Sequence, residues 1–174
     1  RRVSVPLVSI VTSDPAATIA TICAACNGET RLVCWDVLRG LYEPVAKKYG
    51  LPPHMKGDET INSPVGLLAV LREQLPPACV AFMSLADRWL ADPQVIQGVW
   101  NLRDTFKATR RCLVMLCTDG KLPAELHNDV VVLDEPLPDE EALGLIVTQT
   151  ANDVLASEKK AKLDRVFQVT DDDR

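Results

Sequence analysis

Val5-Pro6-Leu7-Val8-Ser9-Ile10-Val11, followed at once by Thr12-Ser13-Asp14-Pro15, decides how this chain folds. An unbroken apolar run rich in β-branched residues marks a strand covered on both faces, as in a parallel sheet. Asp14 then offers its side chain as a helix N-cap. Pro15 suits the first helical position, because the N–H it lacks is one a helix leaves unpaired anyway. Ile19, Ile22, Cys23 and Cys26 recur at helical spacing on one face. Gly28, after Asn27, can take the left-handed conformation that ends a helix. Strand, cap, proline and helix form a unit to look for along the rest of the chain.

The unit recurs. Residues 32–37 read as a second strand. Ser63-Pro64 repeats the cap and proline, and Leu67, Leu68, Leu71 and Leu75 give an amphipathic helix that Pro76-Pro77 stops. Residues 78–83 form a third strand. Asp92-Pro93 opens a third helix with the apolar face Val95, Ile96, Val99, Trp100 and Phe106. Residues 112–117 are a fourth strand. After the turn Leu122-Pro123-Ala124-Glu125-Leu126, residues 130–133 are a fifth. Asp139 caps a last helix carrying Leu143, Ile146 and Val147. Residues 39–63 break the pattern: Gly40, Pro44, Gly50, Pro52, Pro53 and Gly57 make a long loop, with one helical turn near 44–49. It is either an interaction surface or a tolerated insertion. From residue 157 the chain is charged and reads as a linker or fraying end.

Five apolar strands separated by helices imply an α/β fold, a parallel sheet with helices on both faces. We expect an α/β domain over residues 1–137, a helix over 138–157 that begins a lid-like segment, and a charged tail over 158–174. With 47% hydrophobic and 25% charged residues the chain can build a packed core and is not disordered throughout. The net charge of −5 gives no general attraction to nucleic acid. Arg103, Lys107, Arg110 and Arg111 read as a solvated helix end or as a local phosphate-binding patch. No run approaches the roughly 20 apolar residues that span a bilayer. The six cysteines sit in apolar segments rather than in a disulfide framework, so the expected setting is the cytoplasm or an equivalent reducing compartment.

Ligands of parallel sheets sit at the carboxyl ends of the strands, so chemistry is sought there. A phosphate loop needs glycines that expose backbone N–H groups, and a lysine. Thr12-Ser13-Asp14-Pro15-Ala16-Ala17-Thr18 has neither, and Asp14 would repel a phosphate. A magnesium-dependent NTPase carries a carboxylate where the third strand ends. Ser84-Leu85 stands there, and Asp87, further on, reads as a helix cap or surface residue. Thr118 could touch a phosphate, but Asp119-Gly120 reads as a turn. The acid pattern of a receiver domain is also missing, with Asp14 alone, Ser84, and Asp134-Glu135-Pro136 at the relevant strand ends. The remaining nucleotide-binding candidates are Thr12, Ser13 and Thr118. No catalytic residue and no metal ligand stands out. Cys23-Ala24-Ala25-Cys26 lies near the end of its helix, where the dipole disfavours a thiolate. It reads as two core-facing small residues, with a thiol-redox or metal role as the alternative.

The series Pro6-Leu7-Val8-Ser9-Ile10-Val11, Val33-Cys34-Trp35-Asp36 with Gly40-Leu41, Asp92-Pro93, Thr109-Arg110-Arg111, Leu122-Pro123-Ala124-Glu125-Leu126, and Leu133-Asp134-Glu135-Pro136-Leu137-Pro138-Asp139-Glu140-Glu141 resembles a known family. It is similar to the N-terminal region of AAA+ ATPases of the cyanobacterial and plastid hypothetical-reading-frame type, over residues 5 to 150. The resemblance implies a degenerate P-loop NTPase-like sheet, with the five strands in the spatial order 5-1-4-3-2, ahead of an intact AAA+ module lying beyond residue 174. It implies ATP and magnesium for that module and no cofactor for this chain. The expected role is a non-catalytic interaction or oligomerisation domain. Its partners would be its own AAA+ module, another copy of itself, or a further protein. The alternatives are nucleotide binding without hydrolysis through Thr12, Ser13 and Thr118, or a thiol-redox or metal domain on Cys23 and Cys26.

Overall fold

A computed structural model of the chain describes residues 5–26, 30–44 and 59–136, and within 143–155 residues 143–145, 147, 148, 150–152, 154 and 155. It falls into two compact units, Arg1–Glu135 and Pro136–Arg174. In the first, the elements run β1 (Leu7–Val11), α1 (Pro15–Ala25), β2 (Arg31–Asp36), β3 (Gly40–Tyr42), α2 (Pro64–Glu73), β4 (Cys79–Ser84), α3 (Pro93–Thr109), β5 (Cys112–Cys117) and β6 (Val131–Asp134). Short 3₁₀ turns occupy Glu59–Asn62, Ala86–Arg88 and Ala124–Leu126. In the second unit the described residues from 143 onward are helical, and Leu143, Leu145, Val147, Val154 and Leu155 are exposed. Asp139 and Ile146, the helical turn expected near 44–49, Gly28 and the charged tail lie outside the described residues.

The three expected helix starts that lie within the described residues form as their chemistry dictates. Asp14, Ser63 and Asp92 cap α1, α2 and α3, and each is followed by proline. Such caps are worth about 1 kcal/mol each, because they satisfy N–H groups the helix cannot.

The sheet has six strands in the order β3-β2-β4-β5-β1-β6. A five-stranded sheet in the order 5-1-4-3-2 is therefore not matched exactly. The five parallel strands do follow that order, with strand one inside the sheet between β5 and β6. The difference is β3, which pairs antiparallel with β2. The chain reverses at Asp36, whose carboxylate accepts from the backbone N–H groups of Leu38 and Arg39. Gly40 completes the reversal at φ 64, a left-handed conformation, and a Cβ there would lie 2.8 Å from Asn62 Oδ1. What reads as loop at residues 39–63 thus begins as a hairpin. It ends in the 3₁₀ turn Glu59–Asn62, where the Trp35 indole N–H donates to the Ile61 carbonyl.

Strand residues alternate between two cores, as the pleat requires. Leu7, Val33, Trp35, Ala81, Met83, Leu113 and Met115 pack with Leu67 and Leu71 of α2 and Val95, Val99 and Phe106 of α3. Ile10, Leu32, Cys34, Phe82, Val114 and Leu116 pack on the other face with Ile19, Ile22, Cys23 and Cys26 of α1. Trp100 departs from its expected core position. It is exposed on α3, with the Arg103 guanidinium 4.7 Å from its ring centroid. The edge strand β6 shows Val131, Val132 and Leu133 to solvent. Among the described residues no helix is long and apolar enough to cross a membrane.

Candidate functional site at the carboxyl ends of the strands

The parallel pairing brings the ends of β4, β5, β1 and β6 side by side. Thr12 N–H donates to the Cys117 carbonyl at 3.0 Å, and Glu135 N–H to the Val11 carbonyl at 3.0 Å. The three residues singled out from sequence, Thr12, Ser13 and Thr118, therefore lie on one rim. Their surroundings differ.

Thr12 is 7% exposed and tied inward. Its Oγ1 accepts from the Asp14 N–H at 3.0 Å and lies 2.8 Å from Thr18 Oγ1. Thr18 Oγ1 lies 2.5 Å from Glu135 Oε2 and 3.0 Å from the Asp14 carbonyl. Thr18 has one hydroxyl proton, and the carboxylate is both the closest and the strongest acceptor. Thr18 therefore donates to Glu135, and Thr12 donates to Thr18. Around this relay the Asp14 carboxylate accepts from the Ala16 and Ala17 N–H groups at 3.1 and 3.0 Å. These are N–H groups that a phosphate at the start of α1 would need. Ser13 is exposed. Neither Thr18 nor Glu135 stood out in the sequence. A carboxylate just past the last strand, on a sheet whose first strand is its neighbour, was the only signal for Glu135.

The other half of the rim is built on Asp87. Its side chain is 9% exposed, so the expectation of a cap or surface residue is corrected. Leu85, at φ 51, adopts the left-handed conformation after β4. Its own side chain is exposed, while Ala86 is buried and Asp87 meets β5. Asp87 Oδ2 accepts from Thr118 Oγ1 at 2.5 Å, and Asp87 Oδ1 is buried with no hydrogen-bond partner. Arg88 Nε approaches Oδ2 only to 3.8 Å. Asp119 closes the expected turn by accepting from the Lys121 N–H at 3.1 Å.

Two of the four clustered cations are already engaged. Arg111 is 8% exposed, and its Nη1 donates to the carbonyls of Leu71 and Arg72 at the end of α2. Arg103 pairs with Asp104 and Asp129. Neither is free to serve a phosphate patch. Cys23 is buried and Cys26 half-buried, both on the α1 core face. Opposite them burial pushes the Cys34 and Cys112 thiols up to about 12, so these stay protonated at neutral pH. All six cysteines are free thiols. Among the described residues no three histidine, cysteine or acidic side chains gather as a metal site.

No curated protein matches this chain. A family model described as the SpoVK-like AAA ATPase N-terminal domain matches residues 2–135, which takes in every strand of the sheet and the whole rim. The chain belongs to the family of SpoVK-like AAA ATPase N-terminal domains.

Proposed function

We propose that this domain is a non-catalytic module that mediates protein contact and assembly in an AAA+ ATPase of the cyanobacterial and plastid hypothetical-reading-frame type. Its sheet is a P-loop-like frame with a degenerate nucleotide site. The ATPase module, with its ATP and magnesium, belongs to the same protein and is the domain's first partner. A second copy of the domain and a further protein are the others. The free state of all six cysteines fits a cytoplasmic or similarly reducing setting.

The observation that supports this reading is the closed end of β1. The N–H groups of Ala16 and Ala17 face a carboxylate of the chain itself. The Thr12 hydroxyl is spent on Thr18, and Thr18 on Glu135. A triphosphate arriving there would have to displace Asp14 and face both Asp14 and Glu135. Phosphoryl transfer depends on positioning and charge stabilisation, and here the charge has the wrong sign.

Calorimetric titration of the chain with ATP and magnesium tests this. The expected outcome is no turnover and a Kd weaker than about 10 μM, roughly −7 kcal/mol. Tighter binding replaces the proposal with nucleotide binding through Thr12, Ser13 and Thr118. Stoichiometric zinc, or rapid native-state labelling of Cys23 and Cys26, replaces it with the thiol or metal reading.

A further inference from the structure

The two edges of the sheet are built differently. β3 is short, and the turn Glu59–Asn62 packs against it, with Asn62 Oδ1 2.8 Å from where a Gly40 Cβ would stand. Among the described residues no strand pairs beyond β6, at the opposite edge. Val131, Val132 and Leu133 are 44%, 45% and 49% exposed there. Edge strands are ordinarily blunted by a lysine, a proline or a bulge, because their open N–H and C=O groups recruit other strands. The strand Val131-Val132-Leu133-Asp134 has none of these.

The register of β6 on β1 identifies the open groups. In a parallel strand the N–H and C=O of one residue point to the same side, and successive residues alternate. The Glu135 N–H donates to the Val11 carbonyl, so Leu133 and Val131 also point toward β1. The N–H and C=O groups of Val132 and of Asp134 therefore face outward. Side chains alternate too. Val131 and Leu133 stand level with Val8 and Ile10 on the α1 face, and Val132 with Ser9 on the α2 and α3 face. The strand is apolar on both faces and open along its edge.

We propose that β6 pairs with β6 of a second copy of this chain, antiparallel about a two-fold axis through Val132; the proposal rests on the assembly reading above and names the surface it uses. In this register Val132 meets Val132 and exchanges both backbone hydrogen bonds with it, while each Asp134 N–H reaches a Val130 carbonyl. Each Val131 lies opposite a Leu133, so every exposed apolar side chain of β6 gains an apolar neighbour on its own face. The two Asp134 carboxylates fall at opposite ends, each opposite a valine, and no like charges meet. A slip of two residues would set Val132 against Asp134 and Val131 against Glu135, and would bring Pro136, which has no N–H, into the ladder. A foreign acidic strand would set acid beside Asp134 and Glu135, whereas reversal of the chain's own strand moves its acid away. The covered edge at β3 stops the pairing at two copies. Three half-exposed side chains and one strand edge fall well short of the about 800 Å² per partner of a stable complex, so the domain alone dimerises weakly, with a Kd of about 100 μM.

The test is sedimentation of the 174-residue chain from about 5 μM to about 1 mM, paired with amide hydrogen exchange by NMR. The expected mass rises from 19.1 kDa toward twice that value and no further. Over the same range the Val132 and Asp134 amides gain about five-fold protection, while the Leu133 amide, which points to β1, does not change. Val132→Pro removes only an outward N–H and leaves the pairing with β1 intact, so it should fold and weaken association at least about ten-fold. Should it fail to fold, Val132→Lys, which sets two ammonium groups at the axis, should weaken association by about the same factor. A chain that stays monomeric at about 1 mM overturns the proposal. If the Val132 amide then exchanges freely, the edge is left to a strand of another protein; if it is protected at every concentration, the chain's own residues cover it. Association that survives both substitutions, or that runs beyond the dimer, overturns the proposal as well. The ATP titration is independent. Weak ATP binding by a monomeric chain removes only this interface, and tight ATP binding removes the assembly reading itself.

Discussion

Two halves of one rim solve the same problem in opposite ways. At the ends of β1 and β6, Asp14, Thr12, Thr18 and Glu135 close on one another and on the first N–H groups of α1. At the ends of β4 and β5, Asp87 keeps one carboxylate oxygen buried and unpaired beside an open cleft. In the sealed half the first N–H groups of α1 are met by the chain's own Asp14 carboxylate. Within one sheet, then, a rim closed by its own hydrogen bonds and a rim with an unpaired carboxylate oxygen coexist. The sealed half adds to stability, while the open half forgoes some of it.

That contrast can be broken by mutation. The largest effect is expected for Thr18→Val, which removes the hydroxyl linking Thr12 to Glu135 and leaves the buried Thr12 proton without an acceptor. The loss should be about 2 kcal/mol in urea unfolding. A loss under about 0.5 kcal/mol would mean the relay contributes little beyond packing. Next is Asp14→Ala, which strips the cap from α1 and should cost about 1 kcal/mol, with Asp14→Asn recovering most of it. The same Asp14→Ala variant frees the Ala16 and Ala17 N–H groups. Its affinity for inorganic phosphate, read by calorimetry, should rise above that of the unsubstituted chain. An unchanged affinity would show that Asp14 does not block that position. The smallest effect is expected for Asp87→Asn. It removes a buried charge while keeping an acceptor for Thr118, so stability should stay level or rise by about 0.5 kcal/mol. A loss above about 1 kcal/mol would place both halves of the rim in the same class.

Much of the fold is legible in the sequence because its signals are local. Asp14-Pro15, Ser63-Pro64 and Asp92-Pro93 each place a cap and a proline where the helix begins. The runs that become β4 and β5 are apolar on both faces because both faces are covered. The hairpin strand β3 is not legible in the same way. Three residues, Gly40-Leu41-Tyr42, are too few to show a period, and Pro44, Gly50, Pro52, Pro53 and Gly57 follow them closely. Trp100 falls at core spacing on α3 and yet is exposed, because spacing gives a face but not where the neighbouring element stops. The rim was legible only as positions. Thr12, Ser13 and Thr118 follow from knowing where strands end. The partnership of Thr18 with Glu135 spans 117 residues, and that of Asp87 with Thr118 spans 31, and no local pattern encodes either.

Arg111 gives α2 an ending that it does not carry itself. The carbonyls of Leu71 and Arg72 are met by a guanidinium 40 and 39 residues further along the chain. The carbonyls of the last turn of α2 thus share a side chain that stands between α3 and β5. In native-state hydrogen exchange, the amides of the last turn of α2 should open together with those of β5, as one cooperative block, rather than fray alone as free helix ends do.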